Sequence, residues 1–157
     1  LFSVNRTFAF DFETTPPDAT TSVVDKTSAV VLIEAGKTLF MAGKMKDALI
    51  KFREATNKDA NSWKAMYWVG QCHYELNNYG YALTYAKKAL KTNPEKVNKE
   101  IYVLLGEAHH RLGNLDSALV NYQLALDKLS NARAKVLLVE HHIEECKFAI
   151  EQNKSAK

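Results

Sequence analysis

The sequence predicts an all-α fold in which pairs of helices stack into an elongated array. Residues 63–95 contain one complete helix–turn–helix pattern, with Gly70 in its first helix and Ala82 in its second. The small residues recur at a nearly constant interval, since 34 residues separate Ala48 from Ala82 and 36 separate Ala82 from Ala118. An interval of this length, in phase over three units, is typical of stacked helical repeats.

Small residues stand where the two helices of each predicted pair would cross. They are Gly36, Gly70 and Gly106 in the first helices, and Ala48, Ala82 and Ala118 in the second helices. Larger side chains there would force the helices apart, at a cost of about 1–3 kcal/mol. Phe52 and Tyr122 are predicted to fill the space between units. Ala86 stands at that position in the middle unit, where Tyr85 or Tyr81 is expected to fill the volume instead.

Signals at the helix ends place the individual helices. Asp25, Thr27 and Ser28 are candidate N-caps of the first helix, and Gly43, Asn77 and Gly113 suit the turns that end helices. The predicted helices cover 25–42, 46–58, a segment from a cap at Asn61 or Ser62 to Leu76, 79–91, a segment that begins at Asn93 and Pro94, 115–129, and 132–152. The last helix has no partner helix, as expected of a terminal cap.

The recurring pattern resembles the tetratricopeptide repeat, whose period is about 34 residues. This resemblance implies a right-handed superhelical solenoid of three helix–turn–helix repeats and a C-terminal capping helix. The predicted divisions are an extended N-terminal arm and linker at 1–26 and a repeat domain at 27–157, with repeats at about 29–62, 63–96 and 99–132 and the capping helix at 133–152.

The N-terminal arm, residues 1–26, has a different pattern. Phe8, Phe10 and Phe12 alternate with other residues, which indicates an extended strand, and Pro16 and Pro17 end it. Three interpretations remain open. The arm could lie along the helical surface, it could lie in the concave groove of its own or a neighbouring molecule, or it could be the remnant of a missing domain.

Composition excludes several function classes. The 157 residues suit one domain, and 21 basic against 18 acidic residues give a net charge of +3. This balance does not indicate a nucleic-acid partner, and no apolar run reaches the roughly 18 residues of a membrane span. Because the chain starts at Leu1, we expect a processed or truncated product. Cys72 and Cys146 are expected to be reduced, since they lie on helices of different units.

The sequence contains no catalytic pattern. A glycine-rich phosphate loop, a nucleophile elbow and a zinc motif are all missing from it, so we expect no enzyme activity, no cofactor and no metal. Adjacent histidines on a helix diverge by about 100° and cannot share one metal from one face. His73 and His109 occupy the same repeat position, where we expect their rings to pack between units.

The resemblance also implies that a protein or peptide partner binds the concave groove formed by the first helices. The implied groove residues are Ile33, Lys37, Phe40, Tyr67, Gln71, Tyr74, Val103, Glu107, His110 and His141. Phe40, Tyr67 and Tyr74 would be exposed in an empty groove and would serve as anchors. They could instead be covered by the N-terminal arm, or have no binding role.

Relatives that bind chaperones hold a terminal carboxylate with Lys, Asn and Arg side chains. The matching positions here hold Ile33, Lys37, Trp68, Glu100 and Leu104. Only Lys37 could offer a positive charge, so we expect no carboxylate clamp.

We therefore expect a non-catalytic protein-interaction scaffold. The alternative is a self-assembly module in which Phe8, Phe10 and Phe12 fill the groove of their own or a neighbouring molecule and build a homo-oligomer. Residues 143–149 are similar to the segment that closes the repeat domain of some bacterial envelope proteins with β-propeller and OmpA-type domains. This second resemblance implies a periplasmic, cell-envelope or secretion assembly; the cytoplasm is the alternative location.

Overall fold

The computed structural model describes residues 19–92, 99–128 and 133–156, and the α-helix is the only regular secondary structure in these ranges. The seven helices are α1 Ala19–Met41, α2 Met45–Lys58, α3 Trp63–Glu75, α4 Tyr79–Thr92, α5 Lys99–Arg111, α6 Leu115–Lys128 and α7 Arg133–Ser155. The prediction of an all-α fold is confirmed.

The helices pack as successive pairs in two layers. The most extensive contacts join α1 to α2, α3 to α4 and α5 to α6, and α7 packs on α6. The first helices also touch one another, α1 with α3 and α3 with α5, so they form the inner layer of a right-handed solenoid. Three apolar clusters follow one another along the array. No polar or charged residue is buried within the described ranges.

The turn inside each pair contains one residue with left-handed backbone. Gly43, Asn77 and Gly113 have φ values of 75°, 60° and 74°. In the first turn the N–H of Lys44 donates to the carbonyl of Leu39 at 2.9 Å, and equivalent bonds close the other two turns. This arrangement satisfies carbonyls left free at a helix end. The predicted turns are confirmed.

The glycines of the first helices make room for large side chains. A Cβ atom built on Gly36 would lie 2.6 Å from the ring of Phe52, and one on Gly106 would lie 2.6 Å from the ring of Tyr122. At Gly70 the nearest atom is Cδ2 of Leu104, at 3.1 Å. We call the packed contact at each of these glycines a seam. The middle seam, at Gly70, is therefore closed by Leu104 of the next unit.

The sequence-based prediction for the middle seam was wrong. Tyr81, one of the two residues expected to fill it, is 62% exposed. Tyr85 is half-buried and packs against the first apolar cluster. Both tyrosine rings stack on His73, with centroids 5.1 and 5.6 Å away.

Helix α1 begins at Ala19, six residues before the predicted start. The hydroxyl of Thr27 donates to the carbonyl of Val23 at 3.0 Å, and that of Ser28 donates to the carbonyl of Val24 at 2.9 Å. These bonds place both residues inside the helix rather than at its cap. Residues 19–26, assigned to the N-terminal arm and linker, are therefore helical, while Phe8, Phe10 and Phe12 lie outside the described residues.

Other boundaries follow the predictions closely. The Ser62 side chain caps α3, accepting from the N–H of Ala65 at 3.3 Å. The predicted start of the fifth helix at Asn93 and Pro94 lies outside the described residues. Cys72 and Cys146 are buried and free, and burial raises the pKa of the Cys72 thiol to about 12. None of the described helices is both long and apolar enough to cross a membrane.

Candidate peptide-binding groove

The first helices enclose a cavity of about 410 Å³ on the concave face, between α3, α5 and α7. Half of the ten predicted groove residues line it, namely Tyr67, Gln71, Tyr74, Val103 and Glu107. We call this space the upper cavity. The repeat spacing places these residues on one face of successive first helices, which explains why they meet.

A second cavity of about 490 Å³, the lower cavity, adjoins the first. Tyr74 and Glu107 line both cavities, so the two spaces share a wall. His110, also predicted, lies in the lower cavity. Its wall includes His142, which the sequence reasoning missed, although His142 directly follows the predicted His141.

Trp68 supports the aromatic side chains of the groove. Its ring stacks on Phe52 at 5.5 Å and meets Phe40 and Tyr67 edge-on at 5.3 and 5.4 Å. Phe40 and Tyr67 are therefore half-buried against Trp68, not freely exposed as expected for an empty groove. Tyr67 is held further by the Nε2 of Gln71, which donates to its hydroxyl at 2.8 Å. Burial raises the pKa of Tyr67 above its usual range.

Four predicted groove residues lie outside the two cavities. Ile33 is 5% exposed and belongs to the first apolar cluster, so assigning it to the binding surface was wrong. Lys37 forms an ion pair with Glu34 at 3.0 Å, and Phe40 packs on Trp68. His141 is exposed, with its Nε2 3.3 Å from the carboxylate of Glu145.

Glu107 is the most perturbed carboxylate of the groove. Burial is the main cause, and the nearby carboxylate of Glu75 adds to it; together they raise the pKa of Glu107 from 4.5 to about 7, against the opposing effect of Arg111. The Nε of Arg111 donates to the Tyr74 hydroxyl at 3.3 Å. Glu107 is thus partly protonated near neutral pH, on the wall between the two cavities.

Three histidines have a buried Nδ1 atom that finds no hydrogen-bond partner among the described residues: His73, His109 and His142. Burial lowers the pKa of all three. His73 stacks on Tyr81 and Tyr85 of its own repeat, so the packing between units predicted for His73 and His109 stays a prediction. His142 packs on Tyr122 at 5.2 Å. Within the described ranges, no group of three His, Cys, Asp or Glu side chains is arranged to hold a metal ion.

Comparison with protein families finds a match to the family described as anaphase-promoting complex, cyclosome, subunit 3, over residues 39–125. Among characterised proteins, the chain is 28% identical over 108 residues to BBSome complex member BBS4 of Mus musculus, and 27% identical over 96 residues to its Bos taurus counterpart. These matches cover 69% and 61% of this chain. The chain spans about a fifth of the length of these relatives.

Solved structures with the same fold include tetratricopeptide domains seen with peptides. The first such domain of Spaghetti (RPAP3), bound to the HSP90 peptide SRMEEVD, superposes with a TM-score of 0.73 at 19% identity, over 80% of this chain and 95% of that one. The Yersinia enterocolitica type III secretion chaperone SycD, with a peptide of the translocator YopD, gives 0.69 at 17% identity, over 75% and 91%.

The same repeat, the tetratricopeptide repeat, is indicated by the helix pairs, by the left-handed turn residues and by these structural matches. The family match spans more than half of the chain. The chain therefore belongs to the anaphase-promoting complex, cyclosome, subunit 3 family and is a tetratricopeptide-repeat protein.

Proposed function

We propose that this chain is a non-catalytic protein-interaction module that binds a peptide segment of a partner protein in the concave groove. The observation that carries this proposal is the pair of adjoining cavities, of about 410 and 490 Å³. Their volumes fall in the range of roughly 300–1,000 Å³ that is usual for ligand sites. Side chains from α3, α5 and the capping helix α7 line the upper cavity, so an elongated ligand could contact several units at once.

The aromatic side chains are suited to anchoring a ligand. Tyr67 is fixed by Trp68 and Gln71, and Tyr74 packs beside Tyr79 at 5.5 Å and accepts from Arg111. A ring that is already held loses little conformational entropy when a partner packs on it. Val103 and Leu138 add apolar area beside Tyr67 and Tyr74. Partner side chains would bury these surfaces, while Gln71 and Glu107 set polarity and register.

The named relatives and fold neighbours support a role in binding other proteins. BBS4 is described as a member of a protein complex, and the RPAP3 and SycD domains were seen with peptides. On this basis the chain would act as one module of a larger assembly. The envelope or secretion setting suggested by residues 143–149 stays a prediction.

A peptide-display experiment tests the groove without an identified partner. Random dodecapeptides on phage would be selected against the full chain, and the binding of synthesised hits measured by fluorescence anisotropy. Tyr67→Ala or Tyr74→Ala should weaken binding by about 1–3 kcal/mol, because truncated anchors lose most of their contacts. The matched control is Tyr81→Ala, since Tyr81 is exposed and lies outside both cavities.

Circular dichroism would confirm that all three tyrosine variants keep their helical content. Hits that bind the Tyr67 and Tyr74 variants as tightly as the wild type would contradict the groove assignment.

The self-assembly alternative concerns Phe8, Phe10 and Phe12, which lie outside the described residues. Deletion of residues 1–18 separates it from the first proposal, with molar mass measured by light scattering. Loss of an oligomer on deletion supports self-assembly, and an unchanged monomer argues against it.

A further inference from the structure

Carboxylates outnumber cations on the walls of the groove. Four glutamates line the two cavities, Glu75, Glu100, Glu107 and Glu145, together with two cations, Lys135 and Arg111. The whole chain carries a net charge of +3. The acidic character of the groove is therefore local, and opposite in sign to the protein as a whole.

Two of these carboxylates form no ion pair among the described residues. Glu100 accepts from Lys135 at 2.9 Å, and Glu145 lies 3.3 Å from the imidazole of His141. Within the described residues, Glu75 and Glu107 form neither an ion pair nor a hydrogen bond. Arg111, the cation beside them, donates to Tyr74 instead.

The charge of Glu75 also disfavours the ionised form of Glu107. Glu75 on α3 and Glu107 on α5 both line the upper cavity, and the charge of Glu75 contributes to the raised pKa of Glu107. A cation placed between Glu75 and Glu107 would relieve this repulsion and favour the ionised form of Glu107. The cavity wall beside them is aromatic and apolar, through Tyr67, Tyr74 and Val103. Such a wall covers the aliphatic stem of a lysine or arginine side chain while its charged end reaches the carboxylates.

We infer that the groove selects a basic partner segment and that a lysine or arginine of this segment places its charge between Glu75 and Glu107. This inference rests on the proposed function and specifies the chemistry of the occupant. A free metal ion fits less well, because the described residues bring no three metal-ligating side chains together. An acidic peptide end would meet repulsion from the same carboxylates.

The composition of selected peptides gives the first test. Dodecapeptides selected against the wild-type chain should be enriched in Lys and Arg relative to the unselected library. Selection against a Glu75→Gln, Glu107→Gln double variant should lose that enrichment. The peptide SRMEEVD serves as the acidic probe and should bind more weakly than the basic hits.

Affinity measurements give the second test. Glu107→Gln should weaken the binding of a selected basic peptide by about tenfold, as expected for loss of one partly buried charge pair. Replacing the key lysine of that peptide by methionine should weaken binding to the wild type by a similar factor, with little further loss in the variant. The matched control is Glu54→Gln, because Glu54 lies on α2, pairs with Lys51 and lines neither cavity.

The possible outcomes separate the two proposals. Basic peptides whose binding depends on both Tyr74 and Glu107 support the groove proposal and the charge inference together. Hits that depend on Tyr74, but show neither basic enrichment nor sensitivity to Glu107→Gln, overturn the charge inference and leave the groove proposal standing. Selected peptides whose affinity is unchanged by Tyr67→Ala and by Tyr74→Ala overturn the proposed function, and the inference with it.

Discussion

Each first helix presents one face to neighbouring helices and another to the concave groove, and the two faces differ in chemistry. On α5, Leu104 and Ala108 are fully buried in the second apolar cluster. Glu107, on the same helix, lines the groove and has a shifted pKa. No charged residue is buried in the seams of the described residues, whereas the groove holds several charges in partly covered positions.

This difference shows that two kinds of constraint act on one helix. In the seams the available space determines which side chain fits, because the space beside each glycine accepts one particular neighbour. In the groove, by contrast, the charge of Glu107 depends on its neighbours Glu75 and Arg111 as well as on burial. Mutations in the seams should therefore change stability at every pH, while replacement of Glu107 should change stability in a pH-dependent way.

The largest effect is expected where a seam loses its aromatic ring. Phe52 is fully buried, lies over Gly36 and stacks on Trp68. Phe52→Ala should lower the free energy of unfolding by about 3–5 kcal/mol, because it removes buried contacts and leaves a cavity. Urea unfolding followed by circular dichroism measures this change.

The control for Phe52 lies on the same helix. Ile50 is 55% exposed, so Ile50→Ala should cost under about 1 kcal/mol. Equal losses from the two substitutions would show that the ring does not close the seam.

A smaller effect is expected from one added methyl group, tested at three helical glycines. At Gly106 the new Cβ would meet the Tyr122 ring at 2.6 Å, at Gly70 it would meet Leu104 at 3.1 Å, and at Gly80 it would meet no atom within 4 Å. Gly106→Ala should be destabilising by about 1–3 kcal/mol through overpacking. Gly80→Ala should be stabilising by about 0.5–1 kcal/mol, because alanine favours the helix.

Gly70→Ala should fall between these limits, close to no change. The helix-forming gain offsets the small displacement that a flexible leucine can make. The same unfolding measurement ranks the three variants, and a ranking that did not follow the three distances would refute the account of the seams.

The fold could be predicted because the seams repeat. Every helix pair needs a small residue where its helices cross, so equivalent alanines recur at spacings of 34 and 36 residues. Because the pattern occurs three times, it predicts the fold more strongly than one copy would. The turns were predictable for a similar reason, since Gly43, Asn77 and Gly113 all need left-handed backbone. The start of α1 was not, because Thr27 and Ser28 can either cap a helix or bond back within one.

The groove was only partly predictable, because exposure depends on neighbours as well as on repeat position. Ile33, Tyr67 and Val103 occupy equivalent positions, yet Ile33 is buried in the first apolar cluster, against which Phe40 and Trp68 pack. The shifted pKa of Glu107 depends on Glu75, a residue of another helix. Spacing along the sequence cannot reveal such a pair.

A third effect distinguishes the groove from the seams by its pH dependence. Because the pKa of Glu107 is raised to about 7 in the folded state, folding favours the protonated carboxyl. The stability that it contributes is present below about pH 4.5 and is lost as pH rises towards 7. The amide introduced by Glu107→Gln cannot ionise, so this variant should match the wild type at pH 4.5 and exceed its free energy of unfolding by about 1–2 kcal/mol at pH 8.

Urea unfolding of both proteins at the two pH values measures this difference, and all other titrating groups are common to both. Glu144→Gln is the matched control, because Glu144 is exposed and pairs only with Lys147 among the described residues. An exposed pair of this kind contributes at most about 1 kcal/mol, so the control should show little change between the two pH values. A stability difference between the wild type and the Glu107→Gln variant that stayed constant with pH would mean that Glu107 is fixed by volume, like the seam residues, and not by charge.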